Sequence, residues 1–321
     1  MLLAGCSGDD ITPSDENRGG EMCFDVKSER LMQGDTRATI INSNTDLQNA
    51  GENIGIIAYY HGTTWLFLND VPLRYVDGQW MFVDGSNNPT HYYWPIDGSV
   101  YEPYPSYPQY DVPYTSLDFM GFWPRTGTSY MSRSLERDAS DNVLGPLLTC
   151  TNLPVTSAGQ VGLKEYMCAY LPNQTYADQA AAAGGRLPLV FRHPLATVKF
   201  QLGSGHTSDV VITSITVPGI KNNGGYSFYT GNWSSDGDDA NLVITGNPAT
   251  GDTPYLVVPQ TVGTKTITAE VTWEEWGVSQ NHTLTTNVDF GTWQPGYIYT
   301  YTFTVNAHEL IVNVTKFTEQ W

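Results

Sequence analysis

The sequence predicts an all-β protein made of two β-sandwich domains, and three observations carry this prediction. Short segments of alternating apolar and polar residues recur along the chain, turn signals separate them, and helical periodicity is almost absent. Many short strands at regular spacing favour sandwiches or barrels over an α/β fold. The 321 residues allow two domains of roughly 150 residues each, so both cores can form without disulfides or metals.

Two segments in the C-terminal half show the alternation most clearly. Residues 266–273 place these apolar side chains on one face: Ile267, Ala269, Val271 and Trp273. Residues 297–305 do the same with Tyr297, Tyr299, Tyr301, Phe303 and Val305. Thr dominates the opposite faces, so both segments are predicted to be half-buried antiparallel strands. Shorter strands are predicted at Ile54–Tyr60, Thr197–Leu202 and Leu117–Phe122, and the last of these also alternates.

Turn signals and one helix divide the strands. Turns are predicted at Asp77-Gly78, Asn222–Gly225, Asp236-Gly237 and Pro295-Gly296. The helix is the Ala-rich segment Tyr176–Ala183, which two glycines end. Strands resume directly after it, so the domain boundary is predicted there. The N-terminal sandwich then covers residues 21–186, and the C-terminal sandwich covers residues 187–321.

The charge of the chain restricts its partners. The formal net charge is −18, and such a surface repels phosphate backbones and anionic lipid headgroups alike. Nucleic acid is therefore not an expected partner. No apolar stretch of about 18 residues follows the start, so no spanning helix is predicted.

The N-terminus carries a targeting motif. The segment Leu3-Ala4-Gly5-Cys6 resembles a bacterial lipobox, in which a signal peptidase cuts before the cysteine and the thiol receives a diacylglycerol. We therefore expect lipidation of Cys6 and contact with the membrane only through this anchor. A complete signal peptide has an apolar core of about 7–15 residues, so the natural start is expected upstream of Met1. Residues 1–20 are thus predicted to be a signal remnant and a disordered polar tether.

The residue types that carry chemistry do not form a recognisable constellation. The histidines, at positions 61, 91, 193, 206, 282 and 308, lack metal-ligand spacing, and neither G-x-S-x-G nor a P-loop occurs. No C-x-x-C pair is present, and whether Cys150 pairs with Cys168 stays open. Residues 236–239 are acidic but lack a full calcium-loop pattern, so an acidic surface turn is expected. No catalytic residue, metal or cofactor is predicted, and His193 is expected to be structural.

A tyrosine repeat forms a candidate ligand contact. Four tyrosines lie at intervals of three among prolines: Tyr101, Tyr104, Tyr107 and Tyr110. Proline favours polyproline II, which has three residues per turn, so the four rings would share one edge. Such a stripe suits a glycan or a host protein. Alternatively, the rings cover apolar surface of the N-terminal domain.

Several segments, in order, resemble the fimbrillin-like (Mfa-like) family of Bacteroidota. They are residues 36–39, 93–95, 119–124, 189–200, 215–225, 257–261 and 293–301. The resemblance implies two tandem transthyretin-like Greek-key β-sandwiches and a role as stalk, anchor or tip subunit of a type V pilus. It also implies a lipid-anchored precursor at the bacterial outer-membrane surface. A trypsin-like protease would cut after an arginine and remove the first strand, and the vacated groove would accept a strand from another pilin subunit.

Candidate residues for this mechanism lie at both ends of the chain. The removable strand would be Glu21–Lys27, with Met22, Phe24 and Val26 facing inward. Arg30 and Arg37 are the candidate cleavage sites. The donor strand would be Glu309–Thr315, whose apolar residues alternate as Leu310, Val312 and Val314.

The alternative is a closed protein in which the same segments are the ordinary first and last strands. The chain would then be a non-polymerising surface lipoprotein that binds glycans or host proteins. Both alternatives stay open at the level of sequence.

Overall fold

The computed structural model describes residues 20–28, 43–95, 116–203, 208–246, 254–306, 309–313 and 318–320. Its first nine strands are β1 (Phe24–Ser28), β2 (Ile54–Tyr60), β3 (Leu66–Val76), β4 (Gln79–Phe82), β5 (Leu117–Trp123), β6 (Met131–Arg137), β7 (Val143–Cys150), β8 (Met167–Gln174) and β9 (Leu187–Phe191). The next six are β10 (Ala196–Leu202), β11 (Val211–Ser227), β12 (Asn232–Thr245), β13 (Pro254–Val257), β14 (Gln260–Thr261) and β15 (Thr264–Glu275). The last five are β16 (Val278–Asp289), β17 (Thr292–Trp293), β18 (Tyr297–Asn306), β19 (Glu309–Asn313) and β20 (Thr318–Gln320).

Helix is confined to short pieces within the described ranges. They are α1 (Asn44–Asn49), α2 (Ser157–Gln160), α3 (Tyr176–Ala181) and a 3₁₀ turn at Ala183–Gly185. The predicted helix at residue 176 is confirmed as α3, although it ends two residues early. No helix in this part of the chain has the length and apolar character needed to cross a bilayer. The all-β prediction is confirmed.

The strands form three large sheets and two small ones. The large sheets have the orders β4-β3-β2-β5-β8, β16-β15-β11-β7-β6 and β13-β10-β18-β19. In addition, β12 pairs with β11 and β20 pairs with β18, while β1-β9 and β14-β17 form two-stranded sheets. Most pairs are antiparallel, and the exceptions are β1 with β9 and β10 with β18.

Three clusters of buried apolar residues form the core. One belongs to the N-terminal half and contains Phe24, Phe82 and Phe119, and one belongs to the C-terminal half. The third joins side chains from both halves, among them Met120 and Leu256. The domain boundary before Leu187 stays a prediction, and β9, which begins there, packs in the N-terminal cluster.

Strand β11 connects the two halves within a single sheet. Its first residues, Val211–Thr216, pair with β15. Its last residues, Gly224–Ser227, pair with β7 of the N-terminal half. One 17-residue strand therefore has ladder partners from both halves of the chain.

The alternating strands are confirmed, but β5 differs from its prediction. In β15, Ile267, Ala269, Val271 and Trp273 are all buried, and β18 buries four of its five predicted inward residues. In β5 all seven residues are buried, because β2 and β8 flank it and core side chains cover both faces. Even Asp118 is only 8% exposed, and its carboxylate accepts a hydrogen bond of 2.7 Å from the Asn173 backbone N–H.

Two of the predicted turns are confirmed, and two are wrong. Asp77-Gly78 and Pro295-Gly296 form turns, whereas Asn222–Gly225 lies inside β11 and Asp236-Gly237 lies inside β12. The register between these two strands shifts between Lys221 and Asn223, and Gly237, with φ of +82°, lies in the resulting bulge of β12. The acidic segment is accordingly part of a strand, and Lys221 Nζ contacts Asp239 Oδ1 at 2.7 Å.

Candidate functional site

The first strand is an integral part of the N-terminal core. Strand β1 runs parallel to β9, with Phe24 opposite Leu187 and Val26 opposite Leu189. Met22, Phe24 and Val26 are 3%, 1% and 3% exposed, so the predicted inward face is confirmed. The outward residues of β1 are Asp25 and Lys27, which form a half-exposed ion pair at 2.8 Å.

Aromatic rings line the space that the inward face of β1 occupies, here called the β1 groove. The Phe24 ring packs edge-on against Phe119, with centroids 5.2 Å apart, and against Phe82 at 5.9 Å. Full burial of one such apolar side chain contributes about 1.5–3 kcal/mol, so Met22, Phe24 and Val26 together contribute on the order of 5–9 kcal/mol. Removing β1 would expose this surface to water.

The residues just before β1 are held by main-chain hydrogen bonds. Met22 N–H donates to the Tyr92 carbonyl at 2.8 Å, and Trp94 N–H donates to the Gly20 carbonyl at 2.9 Å. Glu21 also lies with one carboxylate oxygen 2.7 Å from Nδ1 of His91. The segment Gly20–Met22 is therefore paired with Tyr92–Trp94, on a different edge from the β9 pairing.

A buried glutamine completes the contacts of this segment. The side chain of Gln179, on α3, is 5% exposed. Its Oε1 accepts from Cys23 N–H at 3.1 Å and from Trp94 Nε1–H at 2.9 Å, and its Nε2 donates to the Glu21 carbonyl at 2.7 Å. The sequence analysis did not identify Gln179. Its partners Glu21 and Trp94 are 158 and 85 positions away, so no local pattern indicates the contact.

A hydrogen-bonded turn fixes α3, and with it Gln179. Thr175 caps the helix: its hydroxyl accepts from Asp178 N–H, and the Asp178 carboxylate accepts from Thr175 N–H at 2.8 Å. The Thr175 hydroxyl also donates to Asp178 Oδ2 at 2.6 Å, and this bond, followed by the one from Thr175 N–H, lowers the pKa of Asp178. An ionised carboxylate in the first turn of a helix also interacts favourably with the helix dipole.

The predicted cleavage sites fall between β1 and α1. Ser28, the last residue of β1, donates its N–H to Asn44 Oδ1 at 2.6 Å, next to the N-terminus of α1. Arg30 and Arg37 lie between these two points in the chain and outside the described residues. Cys6 and the four tyrosines at 101, 104, 107 and 110 also lie outside them.

The predicted donor segment pairs within its own chain. Strand β19 lies beside β18, with Leu310 opposite Val305 and Val312 opposite Phe303. Val314 lies outside the described residues. The donor role of this segment stays a prediction.

The two cysteines whose pairing the sequence left open are not joined. Cys150 and Cys168 are buried reduced thiols. Burial raises the pKa of the Cys150 thiol to about 12, so the thiolate is absent near neutral pH. Within the described part of the chain, no group of three or more His, Cys, Asp or Glu residues is arranged to hold a metal ion.

Comparisons with known proteins relate the chain to bacterial surface proteins. A model of a family described as fimbrillin-like matches residues 36–321. The crystal structure of a candidate cell adhesion protein from Bacteroides uniformis shares 14% identity, covers 94% of this chain and 99% of that chain, and has a TM-score of 0.51. A second such protein, from Bacteroides ovatus, shares 13% identity, covers 95% and 98%, and also has a TM-score of 0.51. At these identities the two structures show a shared fold. Comparison with curated proteins finds no match.

Proposed function

The chain belongs to the fimbrillin-like family, and on this premise we propose that it is a structural or adhesive subunit of a bacterial surface pilus, assembled by protease-triggered donor-strand exchange. The family is one of non-enzymatic adhesins, so the expectation that the chain is not an enzyme is confirmed. The proposal includes two tandem transthyretin-like sandwiches and lipid attachment at Cys6 to the outer-membrane surface. Its partners are other pilin subunits.

The observation that carries this proposal is the position of β1. It lies near the start of the chain, its only strand partner among the described residues is β9, and its inward side chains fill the β1 groove. Cleavage at Arg30 or Arg37 would cut the connection between β1 and α1 without cutting a described strand. The groove left behind would present unpaired main-chain groups and apolar surface, which is what an added strand satisfies.

The C-terminal segment has the composition needed to replace β1. Glu21–Lys27 reads Glu-Met-Cys-Phe-Asp-Val-Lys, and Glu309–Thr315 reads Glu-Leu-Ile-Val-Asn-Val-Thr. Both begin with Glu, place apolar residues at their second and fourth positions and Val at the sixth, and have Asp or Asn at the fifth. Leu310, Val312 and Val314 could therefore occupy the places of Met22, Phe24 and Val26. A subunit that releases β19 from β18 would supply this strand to its neighbour.

Arginine-specific proteolysis tests the proposal. An arginine-specific protease is required because trypsin would also cut at Lys27, inside β1. The cleaved chain is expected to form a ladder of oligomers on a native gel. An Arg30→Ala, Arg37→Ala double variant is expected to stay monomeric under the same treatment, and Val312→Asp should prevent assembly of the cleaved chain. A wild-type chain that is cut at these arginines and remains monomeric contradicts the proposal.

The pairing of β19 with β18 favours a second candidate function. In this arrangement the last strand occupies its own sheet, as expected for a closed, non-polymerising surface lipoprotein that binds glycans or host proteins. This candidate predicts that the intact chain binds a glycan array and that a Tyr104→Ala, Tyr107→Ala variant loses the signal while keeping its melting temperature. If the variant binds the glycan array as strongly as the wild type does, Tyr104 and Tyr107 do not contact the ligand.

A further inference from the structure

The contact between Gln179 and the first strand has the geometry of one step in a parallel β-ladder. In such a ladder, a residue binds the C=O before and the N–H after the residue opposite it. Leu187 lies opposite Phe24, and its N–H donates to the carbonyl of Cys23, which precedes Phe24. Gln179 binds the Glu21 carbonyl and the Cys23 N–H, the two groups that flank Met22. Its side-chain amide therefore provides the step that comes before Leu187.

The main chain itself cannot supply this step. By the spacing of the ladder, residue 185 would bind the groups beside Met22, because Leu187 binds those beside Phe24. Gly185 instead donates its N–H to Ala182 within the 3₁₀ turn, at 3.0 Å. Gly184 and Gly185 have φ angles of +69° and +66°, so the backbone turns away from β1 here. The carboxamide of Gln179 occupies the gap that this turn leaves.

Trp94 fixes which end of the carboxamide faces which group. An indole N–H can only donate, so it must face the carboxamide oxygen. The Trp94 Nε1–Oε1 distance of 2.9 Å therefore places Nε2 toward the Glu21 carbonyl, which can only accept. Because Trp94 is 3% exposed and its ring packs on Phe119, this orientation does not depend on β1 itself.

We propose that Gln179 is a positioning residue of the β1 groove that binds the main chain of the donor strand from a second copy of this chain. The inference rests on the proposed function. When Leu310 takes the place of Met22, the Glu309 carbonyl and the Ile311 N–H meet the Gln179 side chain. Gln179 thus recognises peptide groups, whatever side chains the donor carries.

The energetic consequence is a preference for an occupant that presents main-chain groups. After β1 leaves, Gln179 Oε1 keeps its bond from Trp94, but Nε2 loses its acceptor and meets water. An occupant that buries Nε2 again must offer an acceptor, because a buried polar group without a partner is costly. Gln179 therefore favours capture of a donor strand at its first residues, where the ladder to β9 begins.

Backbone esters test this contact without changing any side chain. The probes are a synthetic Glu309–Thr315 peptide, the same peptide with an ester replacing the Ile311 N–H, and a matched control with an ester replacing the Val312 N–H. The control ester alters that N–H and the Ile311 carbonyl, which aligns with the Cys23 carbonyl that accepts from Leu187, so both groups that face Gln179 stay unchanged. Each peptide competes for the arginine-cleaved full chain, as wild type and as Gln179→Met, and native mass spectrometry gives the relative affinities.

The Ile311 ester is expected to lower affinity by about three- to tenfold in wild type and by less than about twofold in Gln179→Met. The Val312 ester should cost the same factor in both proteins. An equal loss for the Ile311 ester in both proteins overturns the role of Gln179. Failure of the unmodified peptide to bind cleaved wild type overturns donor-strand exchange by this segment, and the two failures are therefore distinguishable.

A Gln179→Glu variant gives a second readout that does not rely on Gln179→Met folding normally. A carboxylate can accept from Ile311 N–H but cannot donate to the Glu309 carbonyl, whereas its protonated form can do both. Peptide affinity should rise by about threefold or more as the pH falls in this variant, relative to wild type. The same pH dependence in both proteins contradicts the proposal.

Discussion

A carboxylate oxygen of Glu165 lies 2.5 Å from Nδ1 of His193, and both side chains are only 1% exposed. Glu165 precedes β8 and His193 follows β9, beside the bridge in which the main chains of Cys168 and Arg192 bond to each other. The contact therefore joins a residue of the predicted N-terminal domain to one of the predicted C-terminal domain. The structural place expected for His193 is confirmed.

Removing one member of this buried pair should be costly. We expect Glu165→Ala to lower the free energy of unfolding by about 1.5–3 kcal/mol, because Nδ1 of the buried imidazole loses its hydrogen bond to the carboxylate. Urea denaturation measures the change. The control is Arg137→Ala, which removes an exposed ion pair with Asp141 and should cost no more than about 1 kcal/mol. Similar losses in the two variants would contradict the argument.

The Phe24 side chain should determine how tightly β1 is held. Phe24→Ala deletes a ring that contacts Phe82 and Phe119, and the expected loss of stability is about 3–5 kcal/mol. After arginine-specific cleavage, the fragment carrying β1 should dissociate at a lower urea concentration, as followed by size exclusion. Lys27→Ala, on the outward face of the same strand, is the matched control and should leave dissociation unchanged. If the fragment dissociates at the same urea concentration in both variants, burial of Phe24 does not determine how tightly β1 is held.

The cap of α3 should make stability depend on pH in a defined direction. Bonds to Thr175 lower the pKa of Asp178 in the folded protein, so its stabilising effect is present above the unfolded pKa of about 3.9. That effect is lost as the pH falls through the folded pKa. Asp178→Ala should therefore be less stable than wild type at pH 7 and should converge with it at lower pH.

Denaturation curves across this pH range measure the difference between the two proteins. Thr175→Ala, which removes the capping hydroxyl, should cost about 1 kcal/mol and should reduce the same pH dependence. A difference between wild type and Asp178→Ala that is constant from pH 7 to pH 2 would show that ionisation of Asp178 has no part in it.

The hairpin between β15 and β16 carries a residue that is unfavourable for folding. Trp276 is fully exposed and has φ of +53°, followed by Gly277 at +74°. Trp276→Asn should raise the free energy of unfolding by about 1 kcal/mol, because Asn tolerates this conformation and Asn-Gly suits a tight hairpin. Thermal denaturation measures the gain. The control is Asp77→Asn, because Asp77 also has a positive φ and is also followed by glycine, and this variant should change the free energy of unfolding little. A gain as large as that of Trp276→Asn would contradict the explanation.

The buried residues of a strand could be predicted from the sequence where one face of the strand is buried and the other is exposed to solvent. Strand β15 is the clearest case, because Ile267 and Val271 are buried while Thr266 and Glu270 are exposed. Strand β5 could not be described this way, since burial of Asp118 depends on Asn173, which is 55 positions away. The segment Asn222–Gly225 was predicted as a turn because its composition is that of a turn. In the structure, Gly224 lies where an added Cβ would approach the Ser234 carbonyl oxygen to 2.6 Å, so close pairing with β12 requires the glycine.

The candidate site shows the same division. The inward face of β1 could be predicted from the alternation of Met22, Phe24 and Val26. The role of Gln179 could not be predicted, because its side-chain amide takes the place of a main-chain amide and its partners come together only in the folded chain. A glutamine on a short helix gives no local signal of such a role.

The long strand β11 has a mechanical consequence. Because one strand is hydrogen-bonded to β15 at its start and to β7 at its end, paired backbone joins the two ends of this sheet. Bending there would require several ladder bonds to yield together. A pulling force applied to one half of the chain is consequently carried to the other half through the backbone of β11.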